Sequence, residues 1–306
     1  MDYEELTTHY LELAEQMLDE AFGENRAQWI QRIEAELPKI RTVFAWLKEQ
    51  RDANQGLRLA YLLQELWFEE QHTEEGLGFI QDFLAMGKID ESSSLQARAL
   101  DLAGGFSLSL NNFELARSLK SRAVQIFRQL DSPGQLGYAL LHLGHLVGYA
   151  EGNYDEAKTI YHEALEIFEN LADQAGIAHA TANLASVALE LRDYATAQTL
   201  VNDSLRRYSE LDFQLDLALT VGIAAGVAAA QGQFDRAVRL AATSAAHRER
   251  IDVSLPDKFK SRFERIEAAA LNGLNEEYHS RVWAAGQEMT LAEAVDYALR
   301  NNSGSS

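Results

Sequence analysis

The side chains in this chain that could do chemistry are histidines, arginines and carboxylates, because its 306 residues include no cysteine. Disulfide scaffolds, thiolate metal sites and thiol catalysis are therefore excluded. The most suggestive pair is His142-x-x-His145, whose spacing sets both rings on one face of a helix, with His162 in the helix that would follow. Helical metal sites use such spacing. Neither histidine has an Asp or Glu four residues away to complete a shell, so polar lining of a groove is the better reading of the pair. His162-Glu163-x-x-Glu166 lacks the second histidine of a zinc-protease motif. Glu74-Glu75 and Glu276-Glu277 read as solvated helix ends. There is no Gly-x-Ser-x-Gly elbow and no GxGxxG, and Gly87-Lys88 has neither the upstream glycine nor the following hydroxyl of a phosphate loop. The expectation is a non-enzymatic chain with no cofactor and no metal. A histidine-based metalloenzyme is the remote alternative.

The elements that position these groups must be helices. Three prolines in 306 residues leave the backbone free to be helical almost throughout. The net charge of −20, from 27 basic and 47 acidic residues, repels phosphate backbones and anionic lipid, so neither nucleic acid nor membrane is expected as a direct partner. The start, Met1-Asp2-Tyr3-Glu4-Glu5, is acidic where a secretory leader is basic. Residues 217–234 carry no charge and include a Gly222/Gly226 pair, but the unbroken apolar part is shorter than the roughly 20 residues a span needs. A buried core helix is the better reading. With no cysteine, a cytoplasmic location fits.

Self-similarity then sets the architecture. An aromatic-x-x-Ala motif recurs at Phe113/Ala116, Tyr154/Ala157, Tyr194/Ala197 and Phe234/Ala237, with aromatics 41, 40 and 40 residues apart. Seven residues past each alanine stands Ala123, Ala164, Ser204 or Ser244. Fourteen past each aromatic stand Phe127, Phe168 and Tyr208, with Arg248 breaking the series. Seventeen past stand Leu130, Leu171, Leu211 and Ile251, expected to meet the next unit. One small residue precedes each aromatic, at Gly104, Gly144, Ala185 and Ala225. Its lead is nine residues, except ten in the second unit, and that insertion accounts for the spacing of 41. Each unit is predicted to be a helix pair with a short turn before the aromatic. Such a pair cannot bury its own apolar faces, so the units must stack.

This pattern resembles the tetratricopeptide repeat, in a variety with longer helices than the 34-residue unit. The resemblance implies an all-α, right-handed superhelical solenoid. Residues 1–301 are expected to form one module: an N-terminal helical cap at 1–52, a degenerate repeat at 53–90 containing Thr73-x-x-Gly76 with an apolar helix before it, four clear repeats at 91–252, and a degenerate repeat with a cap helix at 253–301. Residues 302–306 read as a flexible tail. Ser254/Asp257 and Thr290/Glu293 have capping-box spacing, predicting helix starts near 255 and 291. Trp29, Ile33, Leu37, Ile40, Phe44 and Leu47 form one apolar stripe, which Pro38 is expected to kink or restart.

In the tetratricopeptide family the first helix of each unit lines a concave groove. The matching positions are Arg98 and Asp101 in the first clear unit, Tyr138, His142 and His145 in the second, and His179, Asn183 and Ser186 in the third, with Glu190 further along the same helix. Gly222 and Gly226 would give the fourth an open, shallow floor. Such a composition resembles an interface hot spot; a water-filled groove, or one filled by the chain's own ends, is the bland alternative. The chain also ends on Trp283-Ala284-x-Gly286-x-x-Met289 followed by Ala294, and opens on Trp29-x-x-x-Ile33-Glu34 leading to Ile40-Arg41. Together these resemble the helical sensor region of bacterial signal-transduction ATPases of the LuxR and antibiotic-regulator types, without their nucleotide-binding and DNA-binding domains. Pro38-Lys39 departs from that family's usual Asp-Asn. The resemblance implies a partner-binding sensor whose ligand is a protein, a peptide or a small effector. A free-standing scaffold for protein assembly is the alternative.

Overall fold

A computed structural model of the chain describes residues 2–20, 25–86, 94–251, 257–271 and 276–300. The Gly87-Lys88 pair, the capping residue Ser254 with the helix start expected near 255, and the tail at 302–306 lie outside the described residues. The regular elements among the described residues are all helical, with no strand. The chain divides into two compact units, residues 1–146 and 147–306.

The first unit holds α1 (Tyr3–Glu20), α2 (Arg26–Gln50), α3 (Ala53–Leu62), α4 (Gln64–Trp67), α5 (Thr73–Leu84), α6 (Ser94–Ser109), α7 (Phe113–Gln129) and α8 (Pro133–His145). The second holds α9 (Tyr154–Leu171), α10 (Gln174–Glu190), α11 (Tyr194–Leu211), α12 (Gln214–Ala230), α13 (Phe234–Ile251), α14 (Asp257–Leu271), α15 (Glu276–Gln287) and α16 (Leu291–Leu299). All four repeat aromatics are the first residues of their helices. The turn before each is built alike. Asn111, Gly152, Arg192 and Gly232 have φ of 58°, 73°, 63° and 75°, the left-handed conformation that reverses the chain. In the first three repeats the next residue caps the new helix. Asn112, Asn153 and Asp193 accept the backbone N–H of Leu115, Glu156 and Thr196 at 3.2, 3.4 and 3.2 Å.

The small positions are where the repeat predicts close contact. Ala116, Ala157, Ala197 and Ala237 are fully buried, as are Ala123, Ala164 and Ser204. In the second unit Phe168 fills the space over Gly176, where a Cβ would stand 2.2 Å from the ring. The one-residue insertion of the second repeat also has a structural counterpart. Residues Leu146–Ala150 form a π-helical turn, the local form that absorbs an extra residue within a helix.

Four expectations are corrected. The helix α2 runs unbroken from Arg26 to Gln50 through Pro38, with no restart. Its six stripe residues are all buried, each worth about 1.5–3 kcal/mol, against roughly 3 kcal/mol for an interior proline. The leucine that closes each second helix does not consistently meet the next unit, since Leu171 is 45% and Ile251 37% exposed. The apolar helix before Thr73 is broken into α3, α4 and a 3-10 turn (Glu70–His72). Buried Trp67 accounts for the break: its indole donates to the carbonyl of Ala60 at 2.9 Å, and its ring occupies the space over Gly76. Finally, Gly222 and Gly226 are not an open floor. Phe263 and Ile266 of α14 lie on them, and a Cβ at Gly222 would stand 2.5 Å from the Phe263 ring. The glycines admit a helix rather than a ligand.

The C-terminal motif docks on α13. Thr290 and Glu293 form a capping box that starts α16. Gly286 packs so closely that a Cβ would stand 2.5 Å from the Arg239 carbonyl oxygen. Thr243 donates to the Gly286 carbonyl at 2.8 Å, and Tyr278 donates to Asp235 at 2.8 Å. Arg236 donates to the carbonyls of Ala298 and Arg300, which end α16.

Candidate functional site

In the first unit, the predicted residue Asp101 on α6 is the centre of a charge cluster in which Lys120 is buried, Asp101 partly buried and His142 about half exposed. His142 of α8 meets one of its oxygens at 2.6 Å through Nδ1, and Lys120 of α7 donates to the other at 2.9 Å. Lys120 also donates to the Asp101 carbonyl at 3.2 Å. Burial by itself would raise the Asp101 pKa, but the neighbouring charges of His142 and Lys120 outweigh it and hold the carboxyl well below the usual range. The Lys120 ammonium is almost fully buried, its stem threading over Gly104. His145 stands beside His142 with ring centroids 6.4 Å apart, Tyr138 is exposed, and the Arg98 guanidinium lies 5.8 Å from the Tyr61 ring centroid.

In the second unit, the four expected residues of α10 are each engaged by another element. Tyr149, carried on the π turn, donates to Asn183 Oδ1 at 3.1 Å and meets Ser186 Oγ at 2.8 Å. The Asn183 amide in turn donates to the His179 carbonyl at 2.9 Å. His179 Nδ1 stands 2.8 Å from the Tyr208 hydroxyl and 3.5 Å from Asp216, with Phe213 stacked on its ring. Burial raises the Asp216 pKa against the opposing pull of His179. Glu190, at the end of α10, is approached by Arg262 at 3.5 Å and Arg265 at 3.2 Å, both from α14. The buried hydroxyl of Tyr161 lies in the same region, its pKa raised by desolvation and by Tyr149. Of the two bland alternatives, the chain's own later helix does reach this face.

Two groups of these clusters, Lys120 and Tyr149, lie outside the expected set although the sequence carries a sign of each. Lys120 stands four residues past Ala116, where the other repeats place Tyr161, Val201 and Ala241, all buried. A lysine at a core register was the signal that something anionic awaits it. Tyr149 stands five past Gly144, as Glu190 stands five past Ala185, so extending the groove to the position of Glu190 in every repeat also marks Tyr149. Arg262 and Arg265 had no such signal, because the repeat pattern is lost beyond residue 252.

Among the described residues there is no group of three or more His, Cys, Asp or Glu that could hold a metal ion. None of their helices is long and apolar enough to cross a membrane.

Comparison with known proteins agrees with this architecture. Residues 135–210 match the family model of the tetratricopeptide repeat. Over 152 residues the chain is 27% identical to "Putative HTH-type transcriptional regulator Rv0890c" of Mycobacterium tuberculosis (strain ATCC 25618 / H37Rv), and equally to the similarly described Mb0914c of Mycobacterium bovis (strain ATCC BAA-935 / AF2122/97). The match takes in 47% of this chain but only 17% of the length of each of these curated relatives. Among solved structures, the apo form of RapI has a TM-score of 0.57 at 13% identity, with 96% of both chains covered. The Rap conjugation gene regulator of the plasmid pLS20, in complex with the Phr* peptide, has a TM-score of 0.51 at 12% identity, covering 97% of this chain and 98% of that one. BtubC (BKLC) from P. vanneervenii has a TM-score of 0.52 at 18% identity, covering 69% of this chain and 93% of that one. At these identities the structures speak for the fold alone. The fold class is all-α, built from helix-turn-helix repeats of the tetratricopeptide type.

Proposed function

We propose that this chain is a non-enzymatic helical-repeat module that binds a peptide or protein partner, and that it serves as the sensor part of a bacterial signalling or transcription-regulatory ATPase system. The observation that carries this reading is the α10 face. There Tyr149 of the second repeat bonds the half-buried Asn183 and the fully buried Ser186 of the third, polar and aromatic groups set on a repeat backbone of small, interchangeable residues. Two likenesses support it: one similar structure is a Rap regulator in complex with a peptide, and the curated relatives are described as HTH-type transcriptional regulators. The proposed binding set is Arg98, Asp101, Tyr138, His142, His145, His179, Asn183, Ser186 and Glu190. A single module over 1–301 and a cytoplasmic location belong to the same proposal. In this reading the framing helices pass the state of the groove to a switch domain.

The test is selection of peptides from a displayed library against the full chain, followed by calorimetric titration. The double variant His142→Ala, Asn183→Ala is expected to weaken selected peptides by about tenfold or more. Unchanged affinity for every selected peptide removes the groove from the proposal.

A further inference from the structure

The Arg262 side chain is only 5% exposed, yet its Nε and Nη2 have no hydrogen-bond acceptor. Those two N–H groups form the side-on edge of the guanidinium, which takes a carboxylate through two parallel bonds. The chain shows this use elsewhere: Arg41 binds Glu75 through the same edge at 2.6 and 2.7 Å. At Arg262 the nearest carboxylate is Glu190, which stands 3.5 Å from Nε and is drawn away by Arg265 at 3.2 Å. Two guanidiniums thus share one carboxylate, leaving one net positive charge in a chain of net charge −20. A buried guanidinium with idle donors is costly, and Arg236 shows that this chain fills such donors with its own carbonyls where it needs only structure.

We infer that Arg262 is the centre of a carboxylate-binding site on α14, with Glu190 standing where a ligand carboxylate would bind. The inference rests on the binding-module reading and supplies its ligand chemistry. The ring of Tyr149, 5.3 Å from the Arg262 Cζ, backs the guanidinium and leaves its edge as the polar surface. Entry is past Glu190 and Arg265, the latter 60% exposed. One net charge and one fork match a monoanionic carboxylate better than a phosphate dianion. The carboxylate can come from a peptide C-terminus, an acidic side chain or a free small acid.

Arginine Nε–Hε resonances of the labelled full chain test this. The probes are acetate, N-acetyl-trialanine with a free C-terminus, its C-terminal amide, and N-acetyl-Ala-Glu-Ala amide. The Arg262 signal is expected to shift saturably with one or more of the carboxylates and not with the trialanine amide, and the carboxylate that binds best identifies the source. Arg262→Lys, which keeps the charge and loses the fork, is expected to weaken binding about tenfold or more, read there from the Nε–Hε signal of neighbouring Arg265. Glu190→Gln is expected to strengthen it about two- to fivefold by removing the competitor. Should Arg262→Lys fail to fold, Glu190→Gln still decides, since it leaves α14 unchanged. Absence of a saturable shift in both wild type and Glu190→Gln, or an equal response to the amide, overturns the site. Selected peptides that lose affinity with Asn183→Ala but ignore Arg262→Lys would overturn this inference alone and leave the groove standing.

Discussion

The stem of Lys120 occupies the space that a side chain on Gly104 would fill: a Cβ there would stand 2.6 Å from Lys120 Cγ. The glycine that the repeat uses for helix crossing here serves a second purpose, passing a buried ammonium across α6 to Asp101. Lys120→Met keeps the stem and removes the charge, leaving the Asp101 carboxylate with one cationic partner. Breaking a fully buried pair from one side costs about 3–5 kcal/mol; with Asp101 partly exposed and still bonded to His142, a cost at or below the lower end of that range is expected, read by denaturant unfolding of the variant. Gly104→Ala is expected to cost about 1–3 kcal/mol by overpacking. A neutral result for both would remove the cluster from the fold's stability.

The same cluster predicts an acid limb. The folded Asp101 pKa lies below the unfolded value of about 3.9. Its contribution is therefore complete above roughly pH 4 and is lost as the pH falls below that toward the folded value. Thermal melts between pH 6 and pH 2.5 should show Asp101→Asn losing less stability over the lower part of that range than the wild type does.

The docking of the C-terminal motif depends on Gly286. Gly286→Ala would push a methyl onto the Arg239 carbonyl, a backbone atom that cannot step aside. A loss of about 1–3 kcal/mol is expected. Thr243→Val removes the hydroxyl that binds the Gly286 carbonyl, for about 1 kcal/mol more. Because the two sites share one contact, the double variant should cost less than the sum, measurable as a double-mutant cycle.

The repeat register itself is testable at Ala157 and Ala197, both fully buried. Ala157→Leu and Ala197→Leu should each overpack the helix packing at that position, for about 1–3 kcal/mol. Tolerance of both, seen as unchanged melting, contradicts the register.

What the sequence revealed follows from what repeats constrain. The start of each second helix and its small positions recur four times, and its cap three times, so local physics repeated at period 40 made them legible. The Thr290–Glu293 box was legible alone because it is a local hydrogen-bond pattern. Pro38 misled because a single local penalty was weighed without the six buried side chains around it. Gly222 and Gly226 misled in the opposite direction: small residues mark close approach, and only the fold says what approaches. The α10 face was found through its register, whereas Arg262 and Arg265 lie 72 or more residues along the chain from Glu190, beyond the last clear repeat.

The composition of α12 has a consequence of its own. From Leu217 to Ala228 every residue except Leu219 is buried, yet many of those residues are alanine or glycine. Such a helix contributes little side chain to its own shielding; Phe263 and Ile266 of α14 provide the cover over its glycines. Its backbone amides should therefore exchange with solvent deuterium only as α12 itself opens, and that opening should become easier wherever the cover from α14 is lost. Deuterium uptake along 217–228 in a Phe263→Ala variant, faster than in the wild type, would report how far a neighbour's side chain holds the helix shut.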